Sequence, residues 1–167
     1  MSIIEQEISH QHDSFILSAY LAWYSDLASA SAKGLPGVLI SNDAMGGGTD
    51  FEKNRAQALA ALGYVGFTLD VYGADEAGNK QRASGSKEAD SLMRPFAEDL
   101  MLLLARVASV LSKLAEQPQV IESRIAGIGY CFGGMRASQV ARDNLAIKAG
   151  AIVQGSLSGD ASLEGVC

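Results

Sequence analysis

A thiol held between glycines is the residue of this sequence best suited to covalent chemistry. Cys131 sits in Gly129-Tyr130-Cys131-Phe132-Gly133-Gly134, after the apolar run 124–128 and before a stretch of helical composition from Met135 to Leu145. That order describes a tight strand-to-helix turn, a nucleophile elbow, with small residues where the backbone must close onto the adjoining strand and helix. A thiol at a helix start also meets the positive end of the peptide dipoles, which favours thiolate near neutral pH. The competing reading is a small, buried apolar side chain, as free cysteines often are; the flanking glycines favour the nucleophile. Gly127-Ile128-Gly129 also begins a dinucleotide-binding pattern, but Phe132 occupies its third glycine position and would obstruct helix packing.

A second loop is placed to serve that thiol. Asn42-Asp43-Ala44-Met45-Gly46-Gly47-Gly48 follows the buried run Val38-Leu39-Ile40, so both loops are expected on the carboxyl edge of one sheet, facing one crevice. Acyl transfer at an elbow draws one oxyanion donor from the N–H after the nucleophile, here Phe132, and one from this earlier loop, here Ala44. The alternative is an ordinary flexible loop ahead of a helix capped by Thr49; a phosphate loop is excluded because no Gly-Lys-Ser/Thr follows. His10-Gln11-His12 places two imidazoles on alternate residues, which invites a metal, yet no third ligand accompanies them and a solvated hairpin loop is the expectation. Met93, Met101 and Met135 fall in helical apolar patterns and read as core. No cofactor or metal is expected.

The elements that must position these residues alternate between strand and helix. Ile3 to Ile8 and Phe15 to Leu21 read as an antiparallel hairpin with a several-residue loop over 9–14, and 25–34 as a connecting loop. Thr49-Asp50-Phe51-Glu52 fits a capping box, predicting a helix from Asp50 to Leu62 that stops at Gly63, with a strand from Tyr64 to Leu69 after it. The loop 70–87 is long enough to line a site. Phe96, Leu100, Leu103, Leu104, Val107, Val110, Leu111 and Leu114 predict one long amphipathic helix ending before Pro118, and Lys148 to Val153 one further strand. The pattern implies an α/β fold, a mostly parallel sheet with right-handed crossovers and helices on both faces, behind an N-terminal antiparallel hairpin.

The 167 residues, 48% hydrophobic, suffice for one domain spanning 1–167. A net charge of -6 provides no basic stripe, so neither nucleic acid nor an anionic membrane is an expected partner. The longest apolar run, Leu100 to Ala105, is too short to span a bilayer, and the first residues carry neither the basic nor the apolar region of a signal peptide. Two cysteines, Cys131 and Cys167, make no disulfide framework; a cytoplasmic location with reduced thiols is expected.

The ordered segments Leu35–Ile40, Ala61-Leu62-Gly63-Tyr64-Val65-Gly66, Leu69-Asp70-Val71-Tyr72-Gly73, Ile128–Gly134 and Gly155-Ser156-Leu157 resemble the dienelactone hydrolase family, cysteine members of the α/β-hydrolase fold, over nearly all of residues 1 to 160. The resemblance implies hydrolysis of a small-molecule ester or lactone through an acyl-cysteine, with Cys131 as nucleophile and Phe132 and Ala44 as oxyanion donors. Asp43 stands where the family usually has a glutamate that contacts the resting cysteine, one methylene longer. Gln154 stands where many members have histidine. The family's carboxylate-gripping arginine would fall after Tyr72-Gly73, where this chain has Ala74 and Asp75, with Arg82 nearby; a dienelactone substrate is therefore not implied.

The family's aspartate and histidine belong to two further strands, which would begin beyond Cys167, whereas His10 and His12 lie far upstream of the thiol. The chain is accordingly expected to be a fragment of a hydrolase, its domain incomplete at the C-terminus. The alternatives are a non-catalytic binding or interaction module, or a chain that recruits the missing groups from a partner. An unpaired sheet edge near Gln154 leads us to expect a homodimer or poor solubility.

Overall fold

The computed structural model describes residues 2–75, 77–131 and 147–153. Six strands form one sheet: β1 (Ile3–His12), β2 (Phe15–Tyr24), β3 (Leu35–Ser41), β4 (Val65–Leu69), β5 (Val120–Tyr130) and β6 (Ile147–Val153), in the order β1-β2-β4-β3-β5-β6. β4, β3, β5 and β6 pair in parallel, while β1 and β2 continue the sheet antiparallel. Four helices accompany them: α1 (Ser25–Ala30), α2 (Asp50–Ala61), α3 (Ser86–Glu98) and α4 (Leu100–Ala115). This is the expected α/β architecture.

Alternation along the strands divides the core between the two faces. Leu17, Leu21 and Trp23 of β2, Leu39 of β3 and Val65, Phe67 and Leu69 of β4 pack with Phe96 of α3 and Leu103, Val107, Val110 and Leu114 of α4. Tyr20 and Ala22 of β2 and Ile40 of β3 face the other way, onto Ala56 and Ala60 of α2. β4 is buried at every residue, as a central parallel strand covered on both faces must be. α2 lies directly on it: a Cβ at Gly66 would stand 2.5 Å from the Cα of Ala56.

Three elements differ from the sequence expectation. The hairpin has no long loop; β1 and β2 pair as far as His12↔Phe15, leaving a turn of Asp13-Ser14 with Asp13 at φ 54. Two-residue turns of positive φ match the twist of paired strands, and Asp tolerates that conformation. His10 and His12 are thus strand residues. A short helix, α1, occupies part of 25–34. The long apolar helix is two helices, because Asp99 leaves helical geometry (φ -122, ψ 95) and its carboxylate accepts the Leu102 N–H at 3.0 Å, starting α4 afresh. The capping box of α2 is present, the Thr49 N–H donating to Glu52 Oε2 at 2.7 Å, and Gly63 follows the helix at φ 87.

Candidate active site

β3 and β5 are neighbouring parallel strands in the register Ser41↔Gly129. Two residues further along each lie Asp43 and Cys131, so the loops after the two strands leave the same edge of the sheet side by side. Cys131 has φ 51, a left-handed conformation that costs a non-glycine residue about 1 kcal/mol or more. Its N–H donates to Val153 O of β6 at 2.9 Å, and its thiol is exposed. Tyr130, just before it, turns toward α2, where its ring meets Phe51 edge-on with centroids 5.0 Å apart.

The loop after β3 is tied down atom by atom. Asn42, 1% exposed, donates from Nδ2 to Asp43 O at 2.7 Å. The exposed Asp43 carboxylate accepts the Met45 N–H at 2.8 Å. Tyr72 Oη donates to Ala44 O at 3.1 Å, and the Ala83 N–H to Met45 O at 2.9 Å. Gly47 lies on the end of β4, where a Cβ would stand 3.0 Å from Leu69 O and from the Asp70 side chain. Arg82 lies along the same loop, its Nη2 2.9 Å from where a Gly48 Cβ would stand.

A buried support lies beneath. Asp70, 4% exposed, accepts the N–H groups of Tyr72 and Gly73, both at 3.1 Å. Burial pushes its carboxyl above the usual aspartate range, opposed by those two N–H groups and by Lys80 and Arg82. Arg106 of α4, 3% exposed, donates from Nη1 to Val71 O at 2.8 Å and lies over the Phe15 ring, 4.3 Å from its centroid. It holds the chain that carries Tyr72 toward Ala44. Sequence reasoning gave Arg106 no role; its signal was an arginine inside the apolar stripe of Leu103, Val107 and Val110.

Neither histidine reaches this edge. Both lie on β1, four strand spacings from β5, roughly 19 Å at about 4.8 Å each. His10 Nε2 is 2.6 Å from Ser109 Oγ of α4, and burial, then Lys113 and His12, hold its pKa below the ordinary histidine value. His12 Nδ1 lies 3.4 Å from Asp13 Oδ2. Among the described residues no three His, Cys, Asp or Glu side chains gather to hold a metal, and no helix is long and apolar enough to cross a membrane. Phe132, Gly133, Gly134 and Gln154 lie outside the described residues.

The sheet order, the left-handed residue ending β5 and the glycine loop after β3 accompany a direct match of the dienelactone hydrolase family model to residues 24–164. The chain belongs to the dienelactone hydrolase family. Among solved structures it is similar to a protein named m3DLH, at 26% identity and TM-score 0.82 over 95% of this chain and 62% of that one. It is also similar to P91, a dienelactone hydrolase-like promiscuous phosphotriesterase from metagenomic libraries, at 25% identity and TM-score 0.78 over 93% of this chain and 60% of that one. A cold-adapted esterase from an Arctic intertidal metagenomic library shares the fold, at 15% identity and TM-score 0.66 over 91% of this chain and 61% of that one. The chain thus spans about three fifths of the length of these proteins. No curated protein matches it.

Proposed function

We propose that Cys131 is the nucleophile of a carboxylic ester or lactone hydrolase. Its thiolate adds to the substrate carbonyl carbon, and the N–H groups of Ala44 and Phe132 hold the resulting oxyanion. Collapse breaks the ester C–O bond; the alkoxide leaves and takes a proton from water, and the acyl group stays on sulfur. Water then cleaves the thioester, releasing the acid and returning the thiol. The observation that carries this reading is the exposed thiol at φ 51 at the end of β5, beside the loop that follows β3. A thiol nucleophile suits a reducing compartment, and on that ground we place the chain in the cytoplasm.

The sequence holds two histidines, and both lie on the far edge of the sheet. The 167-residue chain therefore offers the acyl-cysteine no imidazole to activate water. With p-nitrophenyl acetate it is expected to release about one equivalent of nitrophenol and then stall, with the acetyl group on Cys131 by peptide mass spectrometry. Cys131→Ala should abolish the release. Steady turnover that survives this substitution, or a wild-type chain that takes up no acetyl group, would refute the proposal. The placement of the histidines favours one second reading, a binding module without turnover; that reading requires ligand retention with no acylation and a thiol inert to iodoacetamide.

A further inference from the structure

We infer that Asn42 is a positioning residue of the oxyanion hole: its side-chain amide fixes the Asp43–Ala44 peptide so that the Ala44 N–H is presented to the adduct on Cys131. The inference deepens the reading above and rests on it. A peptide group is planar, so the direction of Asp43 C=O sets the direction of the Ala44 N–H on the opposite side of the same plane. Asn42 Nδ2 donates to that carbonyl at 2.7 Å. With 1% of Asn42 exposed, packing holds the side chain that makes the bond.

Three neighbouring polar atoms are already engaged. Met45 N–H is held by the Asp43 carboxylate, Ala44 O by Tyr72 and Met45 O by Ala83 N–H. The Ala44 N–H has no partner among the described residues, so it is open to a substrate. The bond from Asn42 also polarises the peptide and strengthens that donor. Asn42 itself is costly to keep, for its Oδ1 is buried without a partner among the described residues. An apolar side chain would avoid that cost but could not hold the Asp43 carbonyl.

Two reactions of the same thiol separate orientation from mere structure. Acylation by p-nitrophenyl acetate passes through a tetrahedral oxyanion, whereas alkylation by iodoacetamide displaces iodide and forms none. Losing an oxyanion donor outright costs about 100- to 1,000-fold in rate; loosening one should cost less, roughly 10- to 100-fold. Asn42→Ala and the isosteric Asn42→Asp are each expected to slow acylation of Cys131 by that factor and to change its alkylation less than about twofold, both read by peptide mass spectrometry. Acylation unchanged, or acylation and alkylation slowed together, would overturn the inference. A wild-type chain that is alkylated but never acylated would instead defeat the reading of Cys131 on which the inference rests. The unsubstituted chain supplies a check independent of how the variants fold: the Ala44 amide resonance is expected to shift when an aromatic aldehyde forms a hemithioacetal on Cys131. An Ala44 resonance that stays in place while the hemithioacetal forms would overturn the inference.

Discussion

Adding one methyl group at Gly66 should push α2 off the sheet. A Cβ there would stand 2.5 Å from both Cα and O of Ala56 and 2.8 Å from its carbonyl carbon. All three are backbone atoms, so no rotamer change relieves the contact, and carbon atoms at rest prefer about 3.5–4.0 Å. The helix must retreat by roughly 1 Å, enough to forfeit a quarter to a half of each contact on that face, where Ala56 and Ala60 are fully buried. Overpacking costs about 1–3 kcal/mol, and a backbone-on-backbone clash belongs at the upper end. At about 2–4 °C per kcal/mol for a chain of this size, the melting temperature of Gly66→Ala should fall by roughly 6–12 °C. Thermal unfolding followed by circular dichroism reads the shift directly. Gly85→Ala serves as the control, since a Cβ there meets nothing within 4 Å; as the N-cap of α3 it should lose no more than about 1 kcal/mol. A Gly66→Ala chain that melts within about 2 °C of wild type would refute the reasoning. Because the first turn of α2 carries Phe51, packed on Tyr130 beside Cys131, the same substitution should also slow acylation.

Burial raises the pKa of Asp70, so the native chain holds that proton more tightly than the unfolded chain, and this group's contribution to stability falls as pH rises from about 3.8 through the raised value. Asp70→Asn keeps an oxygen for the N–H groups of Tyr72 and Gly73 but cannot ionise; urea titrations should find it more stable than wild type at neutral pH, with the two converging below about pH 3.9, and a constant difference across that range would be contrary. β6 has one strand neighbour among the described residues and is mostly exposed, and we propose that a second copy pairs along it to form a homodimer. Ala151→Lys should then shift the chain toward monomer in sedimentation, and a wild-type chain that remains monomeric at high concentration would exclude this edge as an interface.

Local chemistry made much of the scaffold legible. The β-rich runs at Val38 and Tyr64, the capping box at Thr49 and the glycine after α2 are short-range signals, and they became β3, β4 and α2 close to their expected bounds. Signals that depend on competition between neighbours were less legible. Polar residues 9–14 resembled a loop, but pairing with β2 extended 9–12 into strand and left Asp13-Ser14 as the turn, and the stripe from Phe96 to Leu114 concealed the point where the Asp99 carboxylate caps a new helix.

The residues of the candidate site divide along the same line. By itself the sequence determined the family, the alternation of strand and helix, and a thiol in a glycine-flanked turn, because each is written in residue types a few positions apart. Only the tertiary structure decided which groups meet. Strand register set the loop after β3 beside Cys131, the sheet order carried both histidines to the far edge, and packing brought Tyr72 to Ala44 and Arg106 to the chain beneath it. Those outcomes depend on contacts between segments tens of residues apart, whose geometry follows from how helices and strands fill the space between them, a quantity that no local spacing encodes.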